Sequence, residues 1–494
     1  MNFWQLPAQH AASRPDAVAL GFEGRELTYA ALARRSADAA AVLWHTWGVR
    51  AGDRVAWLGL NHPDQLVLMF ALARIGAMLL PLNFRLAPAE WEDQLRDCRP
   101  AHLLHDTHWA AQAAELGARC GIAVHGPEAL DQPAAAAAPE LGQPSSGVLL
   151  VFTSGTTGSP RAAVHTQANL LANMRIAAHV QQMTPQDAVL TVLPLFHVGG
   201  LCIQTLPALC AGASVTLHPR FAADAVFDAL ARQRPSLTLQ VPATMKALLE
   251  HPRWADADLS CLRAVWAGSS VLPQPLVRAF LERGVPLCNV YGATETGPFS
   301  IALAPASARS HAGSCGWPAP EVEAMLAHVK QGSGELLVRG PNVAARYWPD
   351  NPVCDGDGWF HTGDVASRAD DGSYTVVGRS KDLIISGGEN IHPLEIDTVL
   401  AEHAAVSECA AFGLPDAQWG EAVAVAVVLH AGAHACADDL RAHLATRLAR
   451  FKLPRHVVFV ESLPRTALGK VQRHALAALV QREAGDSAAE RCIR

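Results

Sequence analysis

The chain has 494 residues, half of them hydrophobic and 17% charged, with a formal net charge of −7 and a pI near 6.3. That length exceeds one small domain and supports two or three with large cores. The acidic balance and the lack of a long basic run exclude nucleic acid as the main partner, while eleven scattered cysteines without a C-x-x-C pair exclude a zinc site or disulfide framework and read as reduced, cytoplasmic thiols.

The N-terminal segment has neither a basic stretch followed by an apolar core nor a cleavage site, so no export signal is expected. Helical periodicity covers Thr28 to Leu43, Arg54 to Leu60 is strand-like, and Asp64 to Ile75 is helical again. This alternation predicts layered α/β structure. The longest apolar run, Leu66 to Leu82, is interrupted by Arg74 and Pro81; it predicts a buried helix and its exit and is too short and broken to span a bilayer. The low-complexity stretch from Gln132 to Gly147 predicts a surface loop. A domain boundary is expected near Gly378 to Asp382, dividing the chain into residues 1–379 and 380–494. Beyond it come a short strand, Leu383 to Ile385, a Gly387-Gly388 turn, a helix from Pro393 to Leu400, and strands alternating with a helix. That is a compact α+β module.

Val148 to Phe152 reads as a buried strand and runs into Thr153-Ser154-Gly155-Thr156-Thr157-Gly158-Ser159-Pro160-Arg161. Glycines there let backbone N–H groups approach an anion, the hydroxyls add donors, and Arg161 adds charge, so the loop can wrap a phosphate. Any three of these residues would pass for a surface turn. The six-residue run TSGTTG arises by chance in such a chain with a probability below about 10⁻⁴. Downstream, Leu193-Pro194-Leu195-Phe196-His197 places an aromatic and an imidazole at the end of a hydrophobic strand; alone, the histidine reads equally well as a core cap. Pro286 to Val290 leads into Tyr291-Gly292-Ala293-Thr294-Glu295, where Tyr291 can stack on a flat base, Thr294 can donate to phosphate and Glu295 can hold a hard cation. Gly358 to Asp364 ends in a carboxylate after a tight turn, suited to two ribose hydroxyls or to its own local backbone. In this arginine-rich chain the only lysines are Lys246, Lys330, Lys381, Lys452 and Lys470.

Taken in order, these motifs resemble the acyl-adenylate-forming superfamily, which includes acyl-CoA synthetases, luciferases and peptide-synthetase adenylation domains. The resemblance runs from about Ala11 to Ala475. It implies a large layered α/β N-terminal domain with a small mobile α+β C-terminal domain. The family's phosphate loop reads TSGTTG-x-P-K-G; Arg161 and Ala162 stand in its last two positions, and arginine keeps the charge and forks onto phosphate oxygens. The resemblance assigns the adenine to Tyr291 with Gly292 and Ala293, the α-phosphate to Thr294, Mg²⁺ to Glu295, the ribose to Asp364 and Arg379, and a hinge to Lys381. It places His197, Leu201, Cys202, Gly268, Ser269 and Ser270 around the acyl pocket, with His197 between the carboxylate and thiol sites. Gly387, Gly388 and Glu389 line a CoA tunnel, and Lys470 reaches the carboxylate and α-phosphate during adenylation. Pro464 and Gly469-Lys470 match the context in which bacterial acetyltransferases modify this family, implying a lysine acetyltransferase as partner. At Gly313 to Pro318 the chain departs from the family, carrying Cys315 and Trp317 where small or basic residues are usual.

The resemblance implies an ATP-dependent carboxylate:CoA ligase, forming acyl-AMP plus pyrophosphate and then acyl-CoA plus AMP. Peptide-synthetase domains carry an aspartate after the aromatic, where this chain has His197, so an amino-acid substrate is not expected. The overall look is nearest to feruloyl-CoA synthetases and compact fatty acyl-CoA ligases, and a pocket without fixed charge favours an aryl or arylpropenoic acid. The alternatives are a medium- or long-chain fatty acid, an acyl-AMP ligase that loads a carrier protein, a luciferase-like oxygenase and a non-catalytic binder. Monomer and homodimer both stay open.

Overall fold

The computed structural model describes residues 2–132, 136–153, 160–268, 272–330, 332–386, 389–416, 418–465 and 470–478. The chain forms two compact units. The larger comprises Met1–Ser269, Ala279–Met325 and Leu337–His361, and the smaller Ser270–Arg278, Leu326–Leu336 and Thr362–Arg494.

Two large sheets build the larger unit. Among the described residues the first has nine strands, and its centre is parallel: Ala188–Thr191, Leu237–Gln240, Ala264–Ala267 and Leu287–Tyr291 follow one another in register, with Leu237 opposite Val189, Trp266 opposite Leu239, and Leu287 opposite Val265. These are the short apolar runs of strands covered on both faces; Trp266 and Leu237 are fully buried. Neighbouring parallel strands end at one edge of a sheet, and there ligands gather in α/β folds. The segments after Thr191, Ala267 and Tyr291 are therefore delivered to the same edge.

The second sheet has eight strands among the described residues and a parallel centre containing Arg54–Leu58, Met78–Leu82 and His102–His105. Helix Tyr29–Ala41, capped by the Thr28 hydroxyl, and helix Pro63–Ile75 occupy the expected stretches. The apolar run from Leu66 to Leu82 differs from its expectation of a buried helix and its exit. The helix ends at Ile75, Gly76 takes the left-handed conformation with φ 76°, and the remainder is the buried strand Met78–Leu82. Pro81 cannot donate to a ladder; the register with the strand Gly147–Thr153 is made at Leu79 opposite Leu149, before the proline is reached.

In the smaller unit, strands Val406–Asp416 and Gly420–Leu429 form a long antiparallel pair, with Ile384–Ser386 and His456–Phe459 against the second of them. Helix Pro393–Leu400 matches its expected span, and its Ile396 and Leu400 pack with Ile384, Val425, Leu440 and Leu444. Asp397 on this helix pairs with Arg473 at 2.5 Å and accepts the Ala411 N–H at 2.6 Å, so the segment after Lys470 is tied to the core by a half-buried ion pair. Among the described residues no helix is long and apolar enough to cross a membrane.

Candidate active site

Two antiparallel strands flank the phosphate-loop sequence. Strands Gly147–Thr153 and Arg161–Thr166 pair with Thr153 opposite Arg161, so both ends of the loop are fixed in one sheet. Ser154, Gly155, Thr156, Thr157 and Gly158 lie outside the described residues. Arg161 is exposed, and its guanidinium carbon sits 4.1 Å from the centroid of the Tyr347 ring, a cation–π contact.

Opposite this hairpin mouth the strand Leu287–Tyr291 opens into a short turn, Thr294–Thr296. Gly292 is needed for close approach: a Cβ there would lie 1.7 Å from the Pro298 carbonyl oxygen. The Ala293 N–H donates to the Thr296 hydroxyl at 2.9 Å. His165, from the strand after the phosphate loop, is wholly buried with Nε2 2.9 Å from the Thr294 carbonyl; burial pushes its pKa down to about 4, so the ring is neutral and Nε2 is the donor. Glu295 is buried, its backbone carbonyl accepting from Ala344 N–H at 2.6 Å and its Oε1 accepting from the Tyr347 hydroxyl at 2.7 Å. Burial, reinforced by the neighbouring carboxylate, raises the Tyr347 hydroxyl above its ordinary pKa and keeps it a donor.

The predicted acyl wall comes from the segment after Ala188–Thr191. Asn61 pins it: Nδ2 donates to the Leu193 and His218 carbonyls at 3.0 Å each, and Oδ1 accepts from Leu195 N–H at 2.8 Å. Gln65 adds a bond to the Leu195 carbonyl. His197 caps the following helical turn, Nδ1 accepting from Gly199 N–H at 3.0 Å, which puts the proton of a neutral ring on Nε2. Phe196 meets Phe84 edge-on at 5.2 Å. Leu201 and Cys202 are buried in the core, and Asn173 donates to the Cys202 carbonyl at 2.8 Å. A Cβ on Gly268 would stand 3.6 Å from Ile203 Cδ1, so Gly268 abuts the same helical segment. Ser269 and Ser270 lie outside the described residues.

In the smaller unit Asp364 and Arg379 stand opposite each other on antiparallel strands and pair at 2.8 Å. Lys381 is exposed on the turn Ser380–Asp382, and Glu389 is exposed at the start of the strand Glu389–Ile391. Gly387 and Gly388 lie outside the described residues. Lys470 is exposed and adjoins the bridge between Arg465 and Val471. Sequence reasoning passed over Tyr347, His165 and Asn61.

A divalent cation has no cage of acidic, histidine or cysteine ligands among the described residues. The donor set suits Mg²⁺ held together with phosphates, since that ion keeps waters and takes one or two carboxylates instead of a protein cage. Glu295, with one oxygen bonded to a neutral hydroxyl, is such a carboxylate.

The sequence model of the AMP-binding enzyme family matches residues 7–348, and that of its C-terminal domain matches 395–470. The chain belongs to this family. It is an AMP-forming acyl-CoA synthetase, an acid–thiol ligase that joins a carboxylic acid to CoA with ATP as co-substrate. Among curated relatives it is 42% identical to the indoleacetate–CoA ligase of Aromatoleum aromaticum, covering 96% of this chain and 97% of that one. It is 40% identical to a feruloyl-CoA synthase of Amycolatopsis, covering 94% and 96%. Among solved structures of this AMP-binding family, ATP-bound MatB from Rhodopseudomonas palustris superposes with a TM-score of 0.89 at 30% identity, covering 97% of this chain and 99% of that one. The o-succinylbenzoate CoA synthetase MenE of Bacillus subtilis, solved with ATP and a magnesium ion, gives 0.85 at 29%, covering 96% and 99%.

Proposed function

We propose that the acid is an aryl or arylpropenoic acid. The observation that carries this reading is that Leu193, Leu195, Phe196 and Ile203, in the segment the family resemblance assigns to the acyl pocket, are all apolar and buried, with Gly268 abutting Ile203. Two relatives named for indoleacetate and ferulate support it.

In the first half-reaction a carboxylate oxygen attacks the α-phosphorus of ATP and pyrophosphate leaves. Arg161 and the Thr294 hydroxyl meet the growing phosphoryl charge, Tyr291 stacks on adenine, and the Asp364–Arg379 pair grips the ribose. Glu295 would hold Mg²⁺, which when bound neutralises charge on the phosphate oxygens. Lys470 reaches the same centre during this step. In the second, the domain of residues 380–494 turns about Lys381 against 1–379, withdraws Lys470 and presents Glu389 with its neighbouring loop, and the CoA sulfur replaces AMP on the acyl carbon.

The test is a CoA-dependent AMP-release screen of the purified protein over cinnamate, ferulate, indoleacetate, octanoate and dodecanoate. Aryl acids should show the higher kcat/KM, and amino acids should not be activated. A clear preference for the aliphatic acids would overturn the aryl reading, and transfer to a carrier protein in place of CoA would overturn the choice of acceptor.

A further inference from the structure

Residues 342–348 run as a splint between the two groups read here as handling the triphosphate. Asn342 Nδ2 donates to the Thr296 carbonyl at 2.6 Å, and Ala344 N–H to the Glu295 carbonyl at 2.6 Å. The same segment then joins the phosphate-loop strand: Ala345 N–H donates to Val164 at 3.2 Å, Trp348 N–H to Ala162 at 2.8 Å, and Tyr347 lies opposite Ala163. Tyr347 is thus fixed by its backbone on both sides, and its side chain is buried.

From that position it touches both groups. The hydroxyl donates to Glu295 Oε1 at 2.7 Å and the ring carries the Arg161 guanidinium at 4.1 Å. We infer that Tyr347 is a positioning residue for adenylation, its hydroxyl orienting the Glu295 carboxylate toward the metal of the metal–ATP complex while its ring holds Arg161 at the mouth of the phosphate hairpin. The inference rests on the reading of Glu295 as the cation-holding carboxylate.

A buried carboxylate needs a partner for its charge. Among the described residues the polar partner of this side chain is a neutral hydroxyl instead of an arginine or lysine. With Oε1 engaged, the rotamer is set and Oε2 is the oxygen left to face a cation. The ring and the hydroxyl do separable work, and conservative substitution separates them.

Tyr347→Phe keeps the ring under Arg161 and deletes the hydroxyl; Tyr347→Leu removes both. The probe is the affinity for Mn²⁺·ATP, followed by electron paramagnetic resonance, alongside the affinity for ATP in EDTA. Tyr347→Phe should weaken Mn²⁺·ATP about tenfold, the scale of a lost hydrogen bond to a charged group. It should leave metal-free ATP binding and thioester formation from supplied acyl adenylate unchanged. Tyr347→Leu should weaken both forms of ATP. Equal weakening of both forms by Tyr347→Phe, or no weakening of either, overturns the assignment. Glu295→Gln separates the two levels: if it weakens Mn²⁺·ATP selectively and Tyr347→Phe does not, only the role of Tyr347 falls, whereas no metal-selective effect of Glu295→Gln removes the reading beneath it.

Discussion

Arg379 and Asp364 occupy opposed positions on two antiparallel strands, with the guanidinium Nε 2.8 Å from the carboxylate Oδ1. Asp364 N–H is bonded to the Thr362 hydroxyl, which donates in turn to the Leu336 carbonyl, so the carboxylate stands on a hydrogen-bonded base. These bonds and the Arg379 pair orient the carboxylate. Asp364→Asn keeps the shape and loses the charge. It should lower kcat/KM for ATP by about ten- to a hundredfold, read by pyrophosphate exchange, with the KM for the acid little changed. Unaltered ATP kinetics would remove the ribose assignment.

Lys470→Ala should cost adenylation about a hundredfold or more, as loss of a charge aimed at the reacting phosphoryl group does. Thioester formation from a supplied acyl adenylate should survive, because in the proposed cycle the lysine is withdrawn before the thiol arrives. Equal loss of both halves would show that Lys470 serves the fold and not the first step.

His165 gives the stability a pH dependence. Burial lowers its pKa from 6.5 to about 4, so between these values the unfolded chain takes up a proton that the folded chain refuses. The contribution is complete above pH 6.5 and declines as pH falls toward 4, by up to about 3 kcal/mol. His125, lowered to about 4 by burial and by its neighbours His102 and His105, adds to the same window. His165→Gln retains a donor for the Thr294 carbonyl and cannot titrate. Its thermal midpoint should fall less than the wild type's on acidification from about pH 7 to about pH 5; an identical fall would exclude His165 as a source.

Asp397→Ala leaves the half-buried Arg473 without its carboxylate partner, which should lower the thermal midpoint. Because Arg473 follows Lys470 closely, amide exchange should accelerate in residues 470–478 as well as in the helix Pro393–Leu400. Exchange unchanged in both segments would mean that packing alone anchors the chain there.

The candidate site residues named from the sequence are those with a local pattern. Tyr291 to Glu295 and Asp364 with Arg379 sit in short motifs whose members are neighbours in the chain or on facing strands, and helix Pro393–Leu400 is marked by its leading proline and its apolar spacing. Tyr347, His165 and Asn61 left no such trace, since their partners lie 52, 129 and 132 residues away. A lone buried tyrosine or histidine has no local pattern to distinguish it from core. The strand Met78–Leu82 was hidden for a related reason: tertiary pairing overrides the continuous apolar pattern shared with the preceding helix, and the tight left-handed Gly76 is the local sign of the break. Trp317, a departure from the family's pattern, pairs by its backbone with Ala302 and meets His311 edge-on at 4.9 Å.

The strand Arg161–Thr166 also acts as a ruler. Side chains alternate across a strand at about 3.3 Å per residue, so Arg161 and His165 share one face about 13 Å apart. One meets the Tyr347 ring and the other the Thr294 carbonyl, while Ala162 and Val164 face the opposite core. Inserting or deleting a single residue between them would turn one of the two to the wrong side of the sheet. Apolar exchanges at Ala162 or Val164 would leave that spacing intact. What the candidate site takes from this stretch is a length, and a change of length is the lesion it is least able to absorb.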